Sequence, residues 1–557
     1  MTGESIHRKS TATRLTLLDL PLALFTLSAV FGLWPAYDRS LCRNTLITLV
    51  AGFGLYLVIS RLANTRRRWR AIAALLSLTG IPLALYFVTQ YTYLDYDEKV
   101  PVIGHLGTLI GGLMPRIGSW TPTANSVATF LEGVLFLTVA LALTQNRRGP
   151  RIAWGSGAAL MGLALLMSAS RGAWLAVALT AGLWLALYWK PARFAAGAVA
   201  VFVLALIAYV LIRGDILVLN TIPVVNRTLA PLFIRPDRLE VYRNSLYLIQ
   251  DCPFTGIGLG PQFAMVHSWY TMLIRYIYLT YSHNLYLEVW LQQGLLGISA
   301  VLWLMAALYT GGAPRADLRL QSTWLGLTAI FMHGLTDARQ YVDLWCWLPF
   351  FGLLGLNAAL RLDQTPATPA WRRALLPAGV VGAFLVIVGV SLGSLPAAWE
   401  ANRGCIFQAR GDLLESLDDG QRAAVRRQAV DHYRRAIRLA PQQRTANQRL
   451  GVMLMDAQQF AAAVPPLEAA WQANPDNTTT HKALGLAYVW VGELEKARPL
   501  LQNVPDIVNE LNVWGWWRGT QGQTEQSLNA YRMSLLLKSD QPQIRQAVED
   551  LEQKATP

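Results

Sequence analysis

Charge is scarce in this chain. Asp, Glu, Lys and Arg make up 15% of its 557 residues, against about a quarter in an ordinary soluble domain. The scarcity is uneven, and up to about residue 398 it excludes a water-soluble globular domain. Cysteine is equally sparse, with Cys42, Cys252, Cys346 and Cys405 scattered singly. No CxxC pair and no histidine at metal-ligand spacing accompanies them, which excludes a clustered zinc site. They read as small buried hydrophobes. An ATP-binding motif is also missing, so neither cofactor nor metal is expected. The first apolar run, Leu15 to about Trp34, is too long for a cleavable leader and lacks a small-residue cleavage site, so it is expected to stay as an anchor.

What the chain does contain is apolar length. Hydrophobic residues make up 53% of it, gathered into segments that as helices would cross about 30 Å of hydrocarbon. Eleven spans are expected, at roughly 15–37, 42–60, 71–90, 122–144, 151–169, 171–189, 194–212, 284–309, 320–337, 343–360 and 374–397. The fold class is therefore all-α: a polytopic membrane domain over 1–398, with an external loop at 213–282, followed by a soluble region over 399–557. Basic residues cluster in every second connection: Arg8, Lys9 and Arg14; Arg61 to Arg70; Arg147, Arg148 and Arg151; Lys190 and Arg193; Arg315 and Arg319; Arg361, Arg372 and Arg373. One orientation places all six groups in the cytoplasm, as the positive-inside rule requires. The N-terminus is then inside, while the loop 91–121, the loop 213–282 and the C-terminal region are outside. This also gives the net charge of +14 a membrane origin and makes nucleic acid an unneeded partner.

The C-terminal region carries a 34-residue repeat. Ala429, Tyr433, Ala436 and Pro441 recur as Ala463, Leu467, Ala470 and Pro475, and Leu450-Gly451 recurs as Leu484-Gly485. This is the tetratricopeptide pattern of a helical solenoid, in which small residues let paired helices pack closely. A degenerate further unit is expected at about 510–542. Such a solenoid offers a surface for a protein partner; a purely structural cap is the alternative. Trp514, Trp516 and Trp517 are expected at packed repeat positions rather than in a sugar-stacking patch.

Four short patterns fall on the predicted outer face. Ser170-Arg171-Gly172 joins two apolar spans almost without a loop, where an arginine is costly unless it faces a polar cavity or an anion; snorkelling to headgroups is the alternative. Asp237-Arg238-Leu-Glu-Val-Tyr242-Arg243 opens a short amphipathic helix expected to end near Pro253. The run Gly256-Ile-Gly258-Leu-Gly260 beyond it could bring backbone amides to a phosphate. Ser282-His283-Asn284 opens the next span, with Gln293-Gly294-Leu-Leu-Gly297 downstream, and a histidine there suits general-base work near neutral pH. In His333-Gly-Leu-Thr-Asp337-Ala-Arg339 the histidine and aspartate are i, i+4, so Asp337 is expected to orient the His333 imidazole; a structural polar pair is the alternative.

These pieces resemble the O-antigen ligase/polymerase superfamily of integral membrane glycosyltransferases over about 120–360. The carriers are Ser170-Arg171-Gly172, the Arg238…Tyr242-Arg243…Pro253…Gly256-Ile-Gly258 stretch, His283-Asn-Leu-Tyr-Leu, Gly294-Leu-Leu-Gly297 and the turn Thr121-Pro-Thr-Ala-Asn125. Tyr242 stands where the family more often has tryptophan. The resemblance implies an undecaprenyl-pyrophosphate-linked glycan donor entering from the outer leaflet. It further implies Arg171 and Arg238 on the pyrophosphate, Arg243 as a secondary candidate, and His283 as the base for an inverting, metal-independent transfer. Asn284, His333, Asp337 and Arg339 complete the expected substrate-binding set. The acceptor is expected to be a lipid or a glycan, as in O-antigen ligases and polymerases that assemble surface polysaccharide such as lipopolysaccharide. A protein O-oligosaccharyltransferase that uses the repeats to recognise its acceptor is the alternative, and a lipid-linked glycan transporter or membrane scaffold is the non-enzyme reading. The expected location is the bacterial cytoplasmic (inner) membrane.

Overall fold

The computed structural model describes residues 15–93, 100–118, 120–213, 216–223, 236–310, 317–362 and 370–555. Arg8, Lys9, Arg14, Arg227, Arg235 and Arg315 lie outside them. Among the described residues the chain is helical, without a strand. It divides into two compact units. The first comprises Met1–Ser245, Gly258–Gln262 and Thr280–Ile387; the second comprises Leu246–Ile257, Phe263–Leu279 and Val388–Pro557.

In the first unit the long helices are α1 (Asp19–Phe31), α2 (Arg43–Leu62), α3 (Arg66–Gln90), α4 (Pro101–Gly112), α5 (Ala124–Leu143), α6 (Arg148–Met167), α7 (Arg171–Tyr188) and α8 (Lys190–Arg213). There follow α9 (Pro236–Asp251), whose last turns belong to the second unit, α10 (Leu285–Tyr309), α11 (Leu318–His333), α12 (Trp347–Leu362) and α13 (Ala370–Leu392). Eight helices among the described residues are long and apolar enough to cross a membrane, and the protein is a multi-pass membrane protein. The three other expected spans are shorter helices: α1 with 13 residues, α7 with 18 and α11 with 16.

Their burial separates a centre from a rim. Of the most apolar stretch, 78% is buried in α5 and 67% in α10, against 11% in α13 and none in α8. Lipid is as apolar as leucine, so central helices need close packing rather than hydrophobicity to associate. Small residues supply it. A side chain on Gly326 of α11 would run into the Gly133 carbonyl of α5, and one on Gly52 of α2 would enter the Phe351 ring of α12. α10 opens on Asn284, whose side chain accepts from the Tyr286 and Leu287 amides at 3.0 and 3.1 Å, an N-cap. The helix is interrupted at Gly294, where φ is +65° and ψ −163°. Gln293, beside the break, accepts from Ser28 Oγ at 2.6 Å and donates to the Tyr341 hydroxyl, so this buried amide is paired as its apolar surroundings demand.

The second unit contains α14 (Leu395–Leu413), α15 (Asp419–Leu439), α16 (Arg444–Asp456), α17 (Phe460–Ala473), α18 (Thr478–Val491), α19 (Leu494–Leu501), α20 (Ile507–Thr520), α21 (Thr524–Leu537) and α22 (Pro542–Ala555). Four helix pairs repeat one contact: a glycine against a large side chain of the next helix. The pairs are Gly404 with Tyr433, Gly451 with Leu467, Gly485 with Leu501 and Gly515 with Tyr531. The degenerate unit therefore packs as the regular ones do, and α14–α15 form a further pair that the repeat spacing did not mark. Trp514 and Trp517 gather with Trp490 and Phe460 around the Arg518 guanidinium at 5.0–5.7 Å, yet each is 36% exposed rather than packed away as expected. Trp516 does not join them; it is 64% exposed.

Candidate functional site

The segment His333–Arg339 receives four motifs of the first unit: the turn at Asn125, Ser170-Arg171-Gly172, Arg238 with Tyr242, and His283-Asn284. α11 ends at His333, and the Gly334, Leu335 and Thr336 carbonyls that follow have no helical partners above them. Orphan carbonyls at a helix end need donors, and two elements provide them, the start of α10 and α9. The Leu285 amide at the start of α10 donates to Gly334 at 2.7 Å. Asn284 Nδ2 donates to Leu335 at 2.9 Å. The Arg238 guanidinium of α9 donates to Thr336. The Tyr242 hydroxyl, one turn further along α9, lies 3.3 Å from the Leu335 carbonyl and 3.1 Å from that of His283. Burial pushes this hydroxyl up to about 12, against the lowering effect of the Arg238 charge, so it is a protonated donor at neutral pH.

α7 approaches the same turn through Gly172. A Cβ there would strike Thr336 Oγ1 and come within 3.0 Å of the His333 ring. The glycine of Ser170-Arg171-Gly172 is thus a packing requirement that sets Arg171, the exposed first residue of α7, beside this turn. Gly172→Ala is expected to lower activity at least tenfold while leaving the amount of membrane-inserted protein within about twofold, because the clash is local. Immunoblotting of membranes alongside a glycan-transfer assay checks it.

His283 occupies the left-handed region, with φ +54°, which histidine tolerates better than most side chains but which still signals strain that surrounding contacts must sustain. Those contacts are visible. Its ring lies 4.0 Å from that of Tyr281, which in turn faces the Arg339 guanidinium at 5.2 Å. On the preceding residue, the Ser282 amide and hydroxyl both donate to Glu288, at 2.9 and 2.6 Å. Glu288 also accepts from Gln292, and Gln292 accepts from the Gly260 amide.

The expectation that Asp337 orients His333 is corrected. His333 Nδ1 lies 3.1 and 3.0 Å from the two oxygens of Glu132, a fully buried carboxylate of α5. The Asp337 amide still donates to the His333 carbonyl at 3.0 Å, but the regular helix stops at His333 and the carboxylate turns to other partners. Asp337 instead accepts from Asn125 Nδ2 at 2.9 Å and faces Arg339 at 3.6 Å, within reach of the charges on Arg238 and His283. Asn125 belongs to the turn before α5, which ties that motif to the same place. Glu132 escaped the sequence reading, although a carboxylate inside the expected span 122–144 is a signal in itself, since a charge at that depth needs a partner.

Two further expectations change. The amides of Gly256, Leu259 and Gly260 are taken by Cys252 O, Gly32 O and Gln292 Oε1, so these three are not offered to a phosphate. Gly258, at φ +113°, has no room for a side chain against the Ala36 backbone. Asn284 commits both ends of its amide to protein partners, which makes it a positioning residue. Arg243 is mostly enclosed and stands 4.0 Å from Glu240.

An apolar groove of about 490 Å³ leads to this turn. It lies between α7, α10 and α11, lined by Leu183, Tyr286, Met305, Trp324 and Phe331, and ends at Leu335.

Residues 156–302 match the family model described as O-antigen ligase, and residues 454–514 match a tetratricopeptide repeat. No curated protein matches the chain. The ligase match contains Arg171, Arg238, Arg243, His283 and Asn284, and supports an O-antigen ligase type of function in surface polysaccharide assembly. A multi-pass membrane protein thus carries a segment similar to O-antigen ligases at 156–302 and one similar to a tetratricopeptide repeat at 454–514.

Proposed function

We propose that this protein transfers a glycan from undecaprenyl pyrophosphate to a hydroxyl of a lipid or glycan acceptor at the outer face of the cytoplasmic membrane. The observation that carries the proposal is the convergence of Gly172, Arg238, Tyr242 and Asn284 on the three residues 334–336, which brings two arginine motifs and His283 to one turn. Arg171 and Arg238 hold the pyrophosphate, each through a planar fork that matches its oxygens. The apolar groove seats the first isoprene units of the donor. His283 accepts the proton of the acceptor hydroxyl as its oxygen attacks the anomeric carbon from the face opposite the leaving group. The anomeric C–O bond breaks, its electron pair passes to the pyrophosphate, and configuration inverts. Charge growing on that leaving group is stabilised by arginines already in place, usually the largest contribution in such a site. Glu132 holds the His333 ring, and Asp337 with Asn125 and Arg339 keeps the turn in shape.

A protein hydroxyl is the second reading for the acceptor, favoured by the tetratricopeptide repeats, which present extended surfaces to polypeptides. A transfer assay tests both, with purified full-length protein, undecaprenyl-pyrophosphate glycan and each acceptor class, with and without EDTA. Product with lipid or glycan acceptor and undiminished by EDTA is expected. Product only with a protein acceptor selects the second reading, and donor movement across vesicles without any transfer overturns both. His283→Asn is expected to insert and fold, since asparagine also tolerates positive φ, yet to lose at least about a hundredfold in rate for want of a base.

A further inference from the structure

The second unit contains only two of the chain's four cysteines, Cys252 and Cys405, and they meet. The segment after α9 runs along one face of α14. Phe254 meets Trp399 edge to face at 5.6 Å. One turn on, Asn402 Oδ1 accepts from the Phe254 and Thr255 amides at 3.1 and 3.4 Å, and its Nδ2 donates to Thr255 Oγ1 at 2.8 Å. A further turn on stands Cys405. The spacing 399, 402, 405 keeps all three on one helix face, and the segment passes them in the opposite direction, so Cys252 arrives at Cys405. Their thiols are within hydrogen-bonding reach of each other. Both are 4% exposed and reduced in this structure.

We propose that Cys252 and Cys405 form a disulfide that fastens the 252–255 segment to α14. The bond needs an oxidant of the protein-disulfide class, as found outside the cytoplasm. The Cys405 thiolate attacks a sulfur of the oxidant, giving a mixed disulfide and one oxidant thiol. Cys252 then displaces the second oxidant sulfur, and two electrons and two protons end on the oxidant. Two neighbours favour the first thiolate at Cys405: the Tyr433 hydroxyl, 3.5 Å from Sγ, and the Arg449 charge. The remaining pair, Cys42 and Cys346, is buried in the first unit, Cys42 donating to Leu259 O and Cys346 to Ser126 O, so neither competes.

The full-length protein, extracted from membranes without reductant, is denatured in N-ethylmaleimide and weighed. Two additions before reduction and four after are expected, together with a linked peptide pair holding Cys252 and Cys405. A second sample is first exposed, folded, to oxidised glutathione. A link that forms only there keeps the pairing but places the unit on the reducing side of the membrane. Four additions in both samples, or a link to Cys42 or Cys346, overturns the proposal. As a second readout, a reductant is expected to lower the unfolding midpoint of the wild type by several degrees and to leave that of C252S/C405S unmoved.

Discussion

Arg238→Lys is expected to reduce glycan transfer by about two orders of magnitude, as removal of a preorganised donor at a developing anion does elsewhere. The charge survives this change, so a purely electrostatic role would leave most of the activity. What is lost is the planar fork. The Arg238 guanidinium is held by the Thr336 carbonyl and the Tyr242 hydroxyl, which fixes the plane of the fork. An ammonium on a flexible stem can serve the carbonyl or the pyrophosphate, but it cannot present both in a set geometry. The comparison with the wild type is made on protein in proteoliposomes, with donor concentration varied. Near-normal turnover by Arg238→Lys, at unchanged donor KM, would sink the pyrophosphate assignment.

Asp251→Ala is expected to destabilise the second unit by about 3–5 kcal/mol, the usual result of orphaning buried cations. Asp251 Oδ1 accepts from Arg444 Nη2 at 2.6 Å and Thr445 Oγ1 at 2.9 Å, while Oδ2 accepts from Arg449 at 3.1 and 2.6 Å. The side chains of Asp251, Arg449 and Arg444 are 4%, 3% and 11% exposed, and Arg449 also lies over the Tyr270 ring at 4.1 Å. Burial by itself would raise the carboxyl pKa, but the Arg449 and Arg444 charges and hydrogen bonds outweigh it and hold it below the ordinary value. The sign of the pH dependence follows. A depressed carboxyl pKa contributes stability that is complete above the unfolded value of about 3.9 and is lost as pH falls through the lower, folded one. Thermal unfolding from pH 7 down to 3 should therefore show a steeper loss in the wild type than in Asp251→Ala, and the two curves should converge at the acid end. Coincident curves would mean that the cluster contributes nothing measurable, and parallel, offset curves that its contribution does not depend on the titration of Asp251.

Both predictions concern residues of α9, and the sequence made them legible to different degrees. The amphipathic spacing of Leu239, Tyr242, Leu246 and Ile249 announced this helix; three of the four are buried and Leu246 is half-buried. Arg238 stood out because an isolated arginine in an outer loop has no role in setting orientation. Asp251 did not stand out, since its partners lie about 190 residues away in α16 and nothing local marks the pairing.

The same division runs through the molecule. Sequence alone determined the all-α class, the apolar helices and the repeat, because 18-residue hydrophobic runs and a 34-residue period are local properties of the chain. It also determined which residue types gather in the motifs. Only the tertiary structure decided their company: Glu132 rather than Asp337 on His333, Asn284 as a cap, the glycine run as packing, and His333–Arg339 as the turn where the motifs meet. The physical reason is that burial forces each polar group to find a partner, and which partner is within 3 Å depends on how helices cross, not on their order along the chain.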